Sequence, residues 1–248
     1  MIILTILFFI TAILYASVGF GGGSTYLALM LIWEIPYYIF PIIALFCNII
    51  VVSGNSINFI RSGNINLKLI LPYLFGSIPF AFIGASISLE KEIFEMLLFL
   101  VLIIAGLFLL VESNSFNKKE LKINSISIFI SIFIGSLIGF VSGLVGIGGG
   151  IFLSPLLFLL KAGYPKHITS SASLFILLNS IFGVAGHLTK EIVLKEFLNY
   201  SPLFLAVLIG GQIGNYLNIK FLSNKALALL TSLLIIFIAI RMGFRVLF

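Results

Sequence analysis

The chain has 248 residues, of which 61% are hydrophobic and 9% are charged, and its mean hydropathy is +1.28. This composition excludes a soluble globular domain and predicts an all-α integral membrane protein. The net charge of +6 comes from basic residues at or between the ends of apolar runs, which indicates loops facing anionic lipid and excludes a nucleic-acid surface. Cys47 is the single cysteine, so no disulfide forms within the chain, and neither a metal nor another cofactor is expected.

About eight apolar runs approach the ~20 residues that a helix needs to cross ~30 Å of hydrocarbon. They cover residues 2–33, 37–60, 66–89, 93–111, 123–161, 168–187, 198–218 and 223–248. A polar and charged stretch separates the fourth run from the fifth. We therefore predict a first repeat of four segments at 1–111, a linker at 112–122 and a second repeat of four segments at 123–248.

Landmarks in the first half return in the same order in the second. The sequence GFGGG at 19–23 is followed 127 positions later by GIGGG at 146–150, and Pro72 and Gly84 have counterparts in Pro202 and Gly214. This order predicts an internal duplication. Many secondary transporters are built from such repeats, and their substrate site lies where the two halves meet.

Both glycine clusters interrupt long apolar runs. Each glycine costs a helix roughly 1 kcal/mol relative to alanine, so four in five positions predict a break. A helix that restarts after the break points unpaired N–H groups and its positive dipole end at the gap, which favours an anion. We expect the two clusters and the hydroxyls after the first to bind substrate: Gly19, Gly21, Gly22, Gly23, Ser24, Thr25, Gly146, Gly148, Gly149 and Gly150.

The alternative is that glycines only allow helices to pack closely. This interpretation fits other glycines in the chain better than it fits the clusters. We apply it to the residues spaced by four along two later runs: Gly135, Gly139, Gly143, Gly210 and Gly214.

The runs that contain the clusters are too long for one crossing. At 1.5 Å per residue, continuous helices over 2–33 and 123–161 would measure roughly 48 and 58 Å. Each run is therefore either a broken span or a re-entrant hairpin. Broken spans give parallel repeats and hairpins give inverted ones, and both divide the 14 basic residues nine to five. The positive-inside rule does not choose between them.

Primary amides within the apolar runs are further candidates, because an amide cannot satisfy itself within its own helix as a hydroxyl can. We assign substrate contacts to Asn48, Asn179 and Gln212. The nearest titratable group is His187, shortly before Lys190. It is interpreted as an interfacial histidine, with a pH-dependent gate as the alternative.

An enzyme is not expected. The sequence has no Asp, no His-Glu-x-x-His metal motif and no G-x-S-x-G nucleophile elbow.

The stretch GFGGGS at 19–24 and its echo GLVGIGGGIF at 143–152, followed by Ser154 and Pro155, resemble the sulfite exporter TauE/SafE family. The resemblance implies a polytopic secondary transporter of small anions, with sulfite and organosulfonates such as sulfoacetate among the proposed substrates. Ile151 stands where the first copy has Ser24, so a symmetric pair of hydroxyls is not expected.

Together these observations predict a multi-pass protein of a prokaryotic cell membrane that exports or exchanges a small inorganic or sulfonate anion by alternating access. Neutral dipoles, not lysines, should hold the anion. A passive anion channel and a non-transporting subunit of a larger complex are the alternatives. The membrane potential and a proton gradient both stay open as the driving force, and oligomeric state has no signature in the sequence.

Overall fold

The computed structural model describes residues 1–63, 65–115, 126–160, 162–163, 165–190 and 198–217, and within these ranges the chain consists of helices and connecting loops. The helices are α1 (Ile2–Val18), α2 (Gly23–Ile32), α3 (Phe40–Arg61), α4 (Leu67–Ser86), α5 (Lys91–Ser115), α6 (Ile128–Val145), α7 (Gly150–Leu159), α8 (Pro165–His187) and α9 (Ser201–Leu217), with 3₁₀ turns at Tyr37–Ile39 and Leu198–Tyr200.

Four helical stretches in the described part are long and apolar enough to cross a membrane: Tyr37–Arg61, Leu67–Ser86, Ile128–Val145 and His167–His187. These agree with the predicted all-α membrane protein. Helix α5 continues to Ser115, past the predicted start of the linker at 112. The rest of the linker, from 116, and the eighth apolar run, 223–248, lie outside the described residues.

The glycine clusters end two helices and start two others. Helices α1 and α6 stop at Gly19 and Gly146, whose φ angles of 86° and 90° are left-handed. Glycine is the residue that adopts such angles without strain. The helices that follow, α2 and α7, each have 10 residues. They measure about 15 Å, half the hydrocarbon thickness. The predicted break is therefore confirmed in both copies.

After the first cluster the chain folds back along α1. Residues progressively later in α2, and Trp33 just after it, lie beside residues progressively earlier in α1, so the two helices run antiparallel. The contacts pair Tyr15 with Thr25 by a 2.8 Å hydroxyl contact, Phe8 with Tyr26 at a ring distance of 4.7 Å, and Ile3 with Trp33 in a shared surface pocket. Helices α1 and α2 thus form a hairpin whose ends lie on the same side of the bundle, called here the first side.

The second cluster reverses the chain in the same way. A Cβ atom at Gly149 would lie 2.9 Å from Cγ2 of Ile138, which is in the middle of α6. Further along, Leu153 and Leu157 of α7 share an apolar cluster with Ile134 and Ile138 of α6. Helix α7 therefore turns back from the end of α6, and it packs mainly against α5 and α8.

The two hairpins enter from opposite sides. Helix α3 starts on the first side, directly after the first hairpin, and its early residue Pro41 lies against Gly146 at the end of α6. Its late residue Phe59 lies 3.1 Å from the Cβ position of Gly19 at the end of α1. Helix α1 therefore runs from the first side to the second, and α6 runs from the second side to the first.

Close glycine packing joins α4 to α6 and α1 to α9. In each pair the positions rise together along both helices, so the helices are parallel. A side chain on any of these five glycines would collide with a facing carbonyl group: Gly135 faces Tyr73, Gly139 faces Ser77, Gly143 faces Ala81, Gly210 faces Phe9 and Gly214 faces Ile13. The packing role predicted for these five glycines is confirmed.

Candidate substrate site at the glycine loops

The first glycine loop (residues 19–22) and the second glycine loop (residues 146–149) meet at Asn48, in the interior of α3. The Asn48 side chain is fully buried, and its Nδ2 donates a 3.0 Å hydrogen bond to the Ile147 carbonyl oxygen. A Cβ atom at Gly23 would lie 2.6 Å from that oxygen, and one at Gly148 would lie 2.7 Å from Asn48 Nδ2. At Gly21 it would collide with Asn48 Oδ1. The meeting point therefore has room only for glycine at these positions.

Two helix N-termini converge on this point. Helix α2 begins at Gly23 and α7 begins at Gly150, and they leave it toward opposite sides. In α2 the first internal hydrogen bond is donated by the Tyr26 N–H group to the Gly22 carbonyl, at 3.0 Å. In α7 the N–H groups of Phe152 and Leu153 both donate to the Gly149 carbonyl, each at 3.1 Å. The N–H groups before them have no acceptor within the helix. Each helix end carries a partial positive charge of roughly half a unit, so together they favour an anion.

Two buried polar atoms at this meeting point have no hydrogen-bond partner among the described residues: Asn48 Oδ1 beside the first loop and Ser180 Oγ beside the second. The Ser180 oxygen lies 3.0 Å from the Cβ position of Gly148. Buried polar groups are nearly always paired, so an unpaired hydroxyl at this place suits a ligand that accepts a hydrogen bond. The sequence alone does not favour a ligand role for Ser180, because a serine within a helix normally bonds its own backbone.

The hydroxyls after the first loop are buried, with Ser24 and Thr25 exposed by 2% and 4%. The Thr25 hydroxyl lies 2.8 Å from the Tyr15 hydroxyl of α1. A Cβ atom at Gly22 would lie 3.1 Å from the Tyr15 ring and 3.2 Å from the Thr11 methyl carbon. Neither Thr11 nor Tyr15 was predicted, since only the fold-back of α2 brings them to the loop.

The outer glycines of the two clusters pack against α3 and α8. The Cβ position of Gly19 is 3.1 Å from the Phe59 ring, a side chain on Gly146 would collide with Pro41, and one on Gly150 would collide with Ile176. Gly149 faces both Ile138 and the Phe175 ring, with a φ of 79°. These contacts hold the loops in place from two sides.

The other two predicted amides occupy different positions. Asn179 Nδ2 donates to Ser77 Oγ at 3.0 Å and to the Phe175 carbonyl at 2.8 Å, so this amide joins α8 to α4. Its Oδ1 is buried and has no partner among the described residues. Gln212 is exposed on α9, which packs on α1 and α3. Their substrate contacts stay predictions.

Charge is located away from the loops in the part of the chain that the structure describes. Arg61 ends α3, Lys68 and Lys91 lie in the first turns of α4 and α5, and Lys190 follows α8. Over the same ranges no three His, Cys, Asp or Glu side chains are grouped to hold a metal ion. Backbone N–H groups, an amide and hydroxyls are what this point offers a ligand.

Residues 4–242 match the family model of the sulfite exporter TauE/SafE family. The chain belongs to this family. The resemblance drawn from the two glycine stretches is thereby confirmed, and two relatives of the chain carry the names of probable membrane transporters.

One such relative is the probable membrane transporter protein y4hK of Sinorhizobium fredii, 26% identical over 235 residues, which cover 94% of each chain. Another is the probable membrane transporter protein YunE of Bacillus subtilis, 24% identical over 272 residues, covering 100% of this chain and 98% of the relative. No solved structure matches the chain.

Proposed function

We propose that this TauE/SafE protein is a multi-pass secondary transporter of the cell membrane that exports or exchanges a small anion, such as sulfite or an organosulfonate, by alternating access. The observation that carries the proposal is the convergence of two half-length helix N-termini on Asn48 from opposite sides. Broken helices of this kind form the substrate sites of many secondary transporters. Membership in a family of membrane transporters supports the same function.

Neutral donors suit a site that must also release its substrate. A buried cation would attract an anion strongly at low dielectric and slow its departure. Backbone N–H groups, the Asn48 amide and the Ser180 hydroxyl offer a weaker attraction that depends on geometry. A small movement of either loop then suffices to weaken binding.

The proposal includes two inverted repeats, 1–111 and 123–248. Its support is a pair of equivalent contacts between the halves: Gly84 packs on the Phe140 carbonyl, and its counterpart Gly214 packs on the Ile13 carbonyl. Phe140 follows Ile13 by the same 127 positions that separate the glycine clusters. Rocking of one half against the other around Asn48 would expose the loops to each side in turn.

Hairpin topology also orients the protein. By their places in the sequence, nine basic residues fall on the second side: Arg61, Lys68, Lys118, Lys119, Lys122, Lys161, Lys166, Lys220 and Lys225. The positive-inside rule then puts this side in the cytoplasm, and the first side, with the N-terminus, outside.

We expect cysteines placed at Ile2 and Ser88 to react with an impermeant thiol reagent from the same, external side. Both positions are exposed, and Cys47, which is buried, is replaced by alanine in the background chain. Intact cells and lysed cells are compared, with Ser62→Cys as the matched cytoplasmic position. Labelling of Ile2→Cys and Ser88→Cys from opposite sides would show that run 2–33 crosses the membrane, and the hairpin topology would be wrong.

Flux through purified protein in liposomes tests the function. A carrier shows saturable uptake of sulfite or a short organosulfonate, accelerated by the same anion loaded on the opposite side. Protein-free liposomes give the background. Ohmic current without saturation would support a passive anion channel instead. If no tested anion is transported, the proposal is rejected and a non-transporting subunit of a larger complex is the remaining alternative.

A further inference from the structure

A cavity of about 580 Å³ opens on the first side of the bundle, away from Asn48. It lies between the start of α3, the end of α4, the start of α5 and the ends of α6 and α8. Its lining is mostly apolar and aromatic, with Ser88, His187 and Lys190 among the polar contributors and Tyr37, Phe94 and Leu144 among the apolar walls. Pockets of this size and character bind small organic ligands.

The ammonium group of Lys190 is held in a fixed position at this cavity. Its Nζ donates to the Ile87 carbonyl at 2.7 Å and lies 3.4 Å from His187 Nδ1. On the other side of the ring, His187 Nε2 lies 3.0 Å from the Gly143 carbonyl, which can only accept. Nε2 therefore carries the imidazole hydrogen, and Nδ1 presents its lone pair to Lys190.

Among the described residues Lys190 makes two contacts, which use two of its three donors, and both acceptors are neutral. Partial burial lowers the pKa of the ammonium group from its ordinary value, because the charged form loses water. An anionic ligand at the third donor would compensate that loss. The neutral imidazole beneath it orients the ammonium group without cancelling its charge.

The floor of the cavity leads to the second glycine loop. Leu144 precedes Gly146 by two positions, and Pro41 lies directly against Gly146. His187 is bonded to Gly143, one position further back. A ligand in the cavity is therefore separated from the loop only by the residues that hold the loop in place.

Two of the carboxylates on the same side, Glu34 and Glu95, lie behind aromatic rings. Glu34 and Glu95 line a neighbouring pocket together with Lys91, and Tyr37, Tyr38 and Phe94 line both pockets. The rings separate those two carboxylates from Lys190. Lys91, in contrast, shares its pocket with both of them.

We propose that this cavity is a vestibular binding site for a small organic anion, with the acidic group at Lys190 and the apolar part against Tyr37, Phe94 and Leu144. The proposal rests on the proposed transport function and deepens it. The anion occupies the vestibule on its way between the external solution and the glycine loops. Apolar walls beside one ammonium group favour an organosulfonate over an inorganic oxyanion.

The test uses the full chain with Cys47→Ala and Ser88→Cys, purified in neutral detergent, and measures how fast the new thiol reacts with two methanethiosulfonate reagents. One reagent carries a sulfonate and the other a trimethylammonium group. We expect Lys190→Gln to lower the ratio of anionic to cationic reaction rates on the order of tenfold, because one nearby positive charge is lost. Lys190→Arg should retain most of the ratio. Lys91→Gln, the matched lysine on the same side, should lower it much less than Lys190→Gln does, because Lys91 shares its pocket with Glu34 and Glu95.

Competition identifies the ligand. Propanesulfonate should slow the anionic reagent at lower concentrations than sulfate does. Varying the ionic strength tests the same positive charge in a chain that keeps Lys190. The ratio of anionic to cationic reaction rates should approach that of a free thiol as the Debye length falls from ~30 Å at 0.01 M to ~3 Å at 1 M. Protection by phosphatidylglycerol but by neither soluble anion would assign the cavity to a lipid headgroup and overturn the proposal. An unchanged ratio in Lys190→Gln would overturn it as well.

The labelling experiment does not depend on transport. A charge preference at Ser88→Cys in a protein without anion flux would reject the transport function and leave an anion-binding cavity. Where flux is present, Lys190→Gln should raise the KM for external organosulfonate several-fold with little change in maximal rate. Flux without any charge preference would reject the vestibular site alone.

Discussion

Gly23→Ala is expected to reduce anion flux to the background of protein-free liposomes. Gly23 begins α2 without a left-handed φ, so the backbone accepts alanine. The new methyl group would lie 2.6 Å from the Ile147 carbonyl oxygen and 2.7 Å from Asn48 Nδ2, distances that real Cβ atoms do not adopt. The two loops would have to separate, at a cost of about 1–3 kcal/mol in folding free energy. Flux of sulfite or an organosulfonate into liposomes measures the effect.

The matched control is Gly211→Ala. Gly211 is also helical and lies in α9, but its Cβ position is 3.6 Å from the nearest atoms, which belong to Val51, an ordinary contact. Its flux and its thermal unfolding midpoint should equal those of the unmodified protein or exceed them slightly. Both variants are checked by size-exclusion chromatography. Normal flux in a folded Gly23→Ala protein would mean that the glycine loops are packing devices and that the substrate passes elsewhere.

Asn48→Asp is expected to abolish flux more completely than Asn48→Ala. The alanine variant removes the hydrogen bond to Ile147 and leaves that carbonyl without its donor, which costs about 1–3 kcal/mol. The aspartate variant adds a negative charge where the two helix N-termini converge. Two like charges about 5 Å apart at an effective dielectric constant near 20 repel by about 3 kcal/mol, more than a hundredfold in affinity.

The order of the two variants reports the sign of the transported ion. Initial rates are measured at several anion concentrations for both, with Asn55→Asp as a second carboxylate on the same face of α3, where Asn55 is likewise buried. We expect Asn55→Asp to retain more flux than Asn48→Asp, since the loops meet at Asn48 and not at Asn55. Equal rates in Asn48→Ala and Asn48→Asp would show that no anion passes near this residue.

The helix breaks could be predicted from the sequence because the cause is local. Four glycines in five positions oppose a helix whatever surrounds them, and α1 and α6 do stop at Gly19 and Gly146. The reversal after the break could not be predicted in the same way. It depends on contacts such as Tyr15 with Thr25, and the basic residues divide nine to five with or without it.

The site shows a similar limit. The need of a buried amide for partners predicts a role for Asn48, and the structure gives this side chain a partner from the second loop. The same rule predicts a role for Asn179, whose partners are instead Ser77 and its own helix, and for Gln212, which is exposed. Hydropathy and amide chemistry cannot separate these three positions. Only the direction of each helix face decides which amide reaches the glycine loops.

The glycine packing between distant helices has a consequence for biogenesis. Helix α1 rests on α9, the last described helix to be synthesised, and α4 rests on α6 across the linker. When the first half leaves the ribosome, the carbonyl groups of Phe9 and Ile13 still face lipid or a chaperone, since Gly210 and Gly214 do not yet exist. Helices α1 and α4 therefore lack part of their packing until α6 and α9 have been synthesised. Assembly of the bundle is completed after translation of the second half, and a nascent chain arrested at the linker would present the unfilled surfaces of α1 and α4 to the quality-control proteases of the membrane.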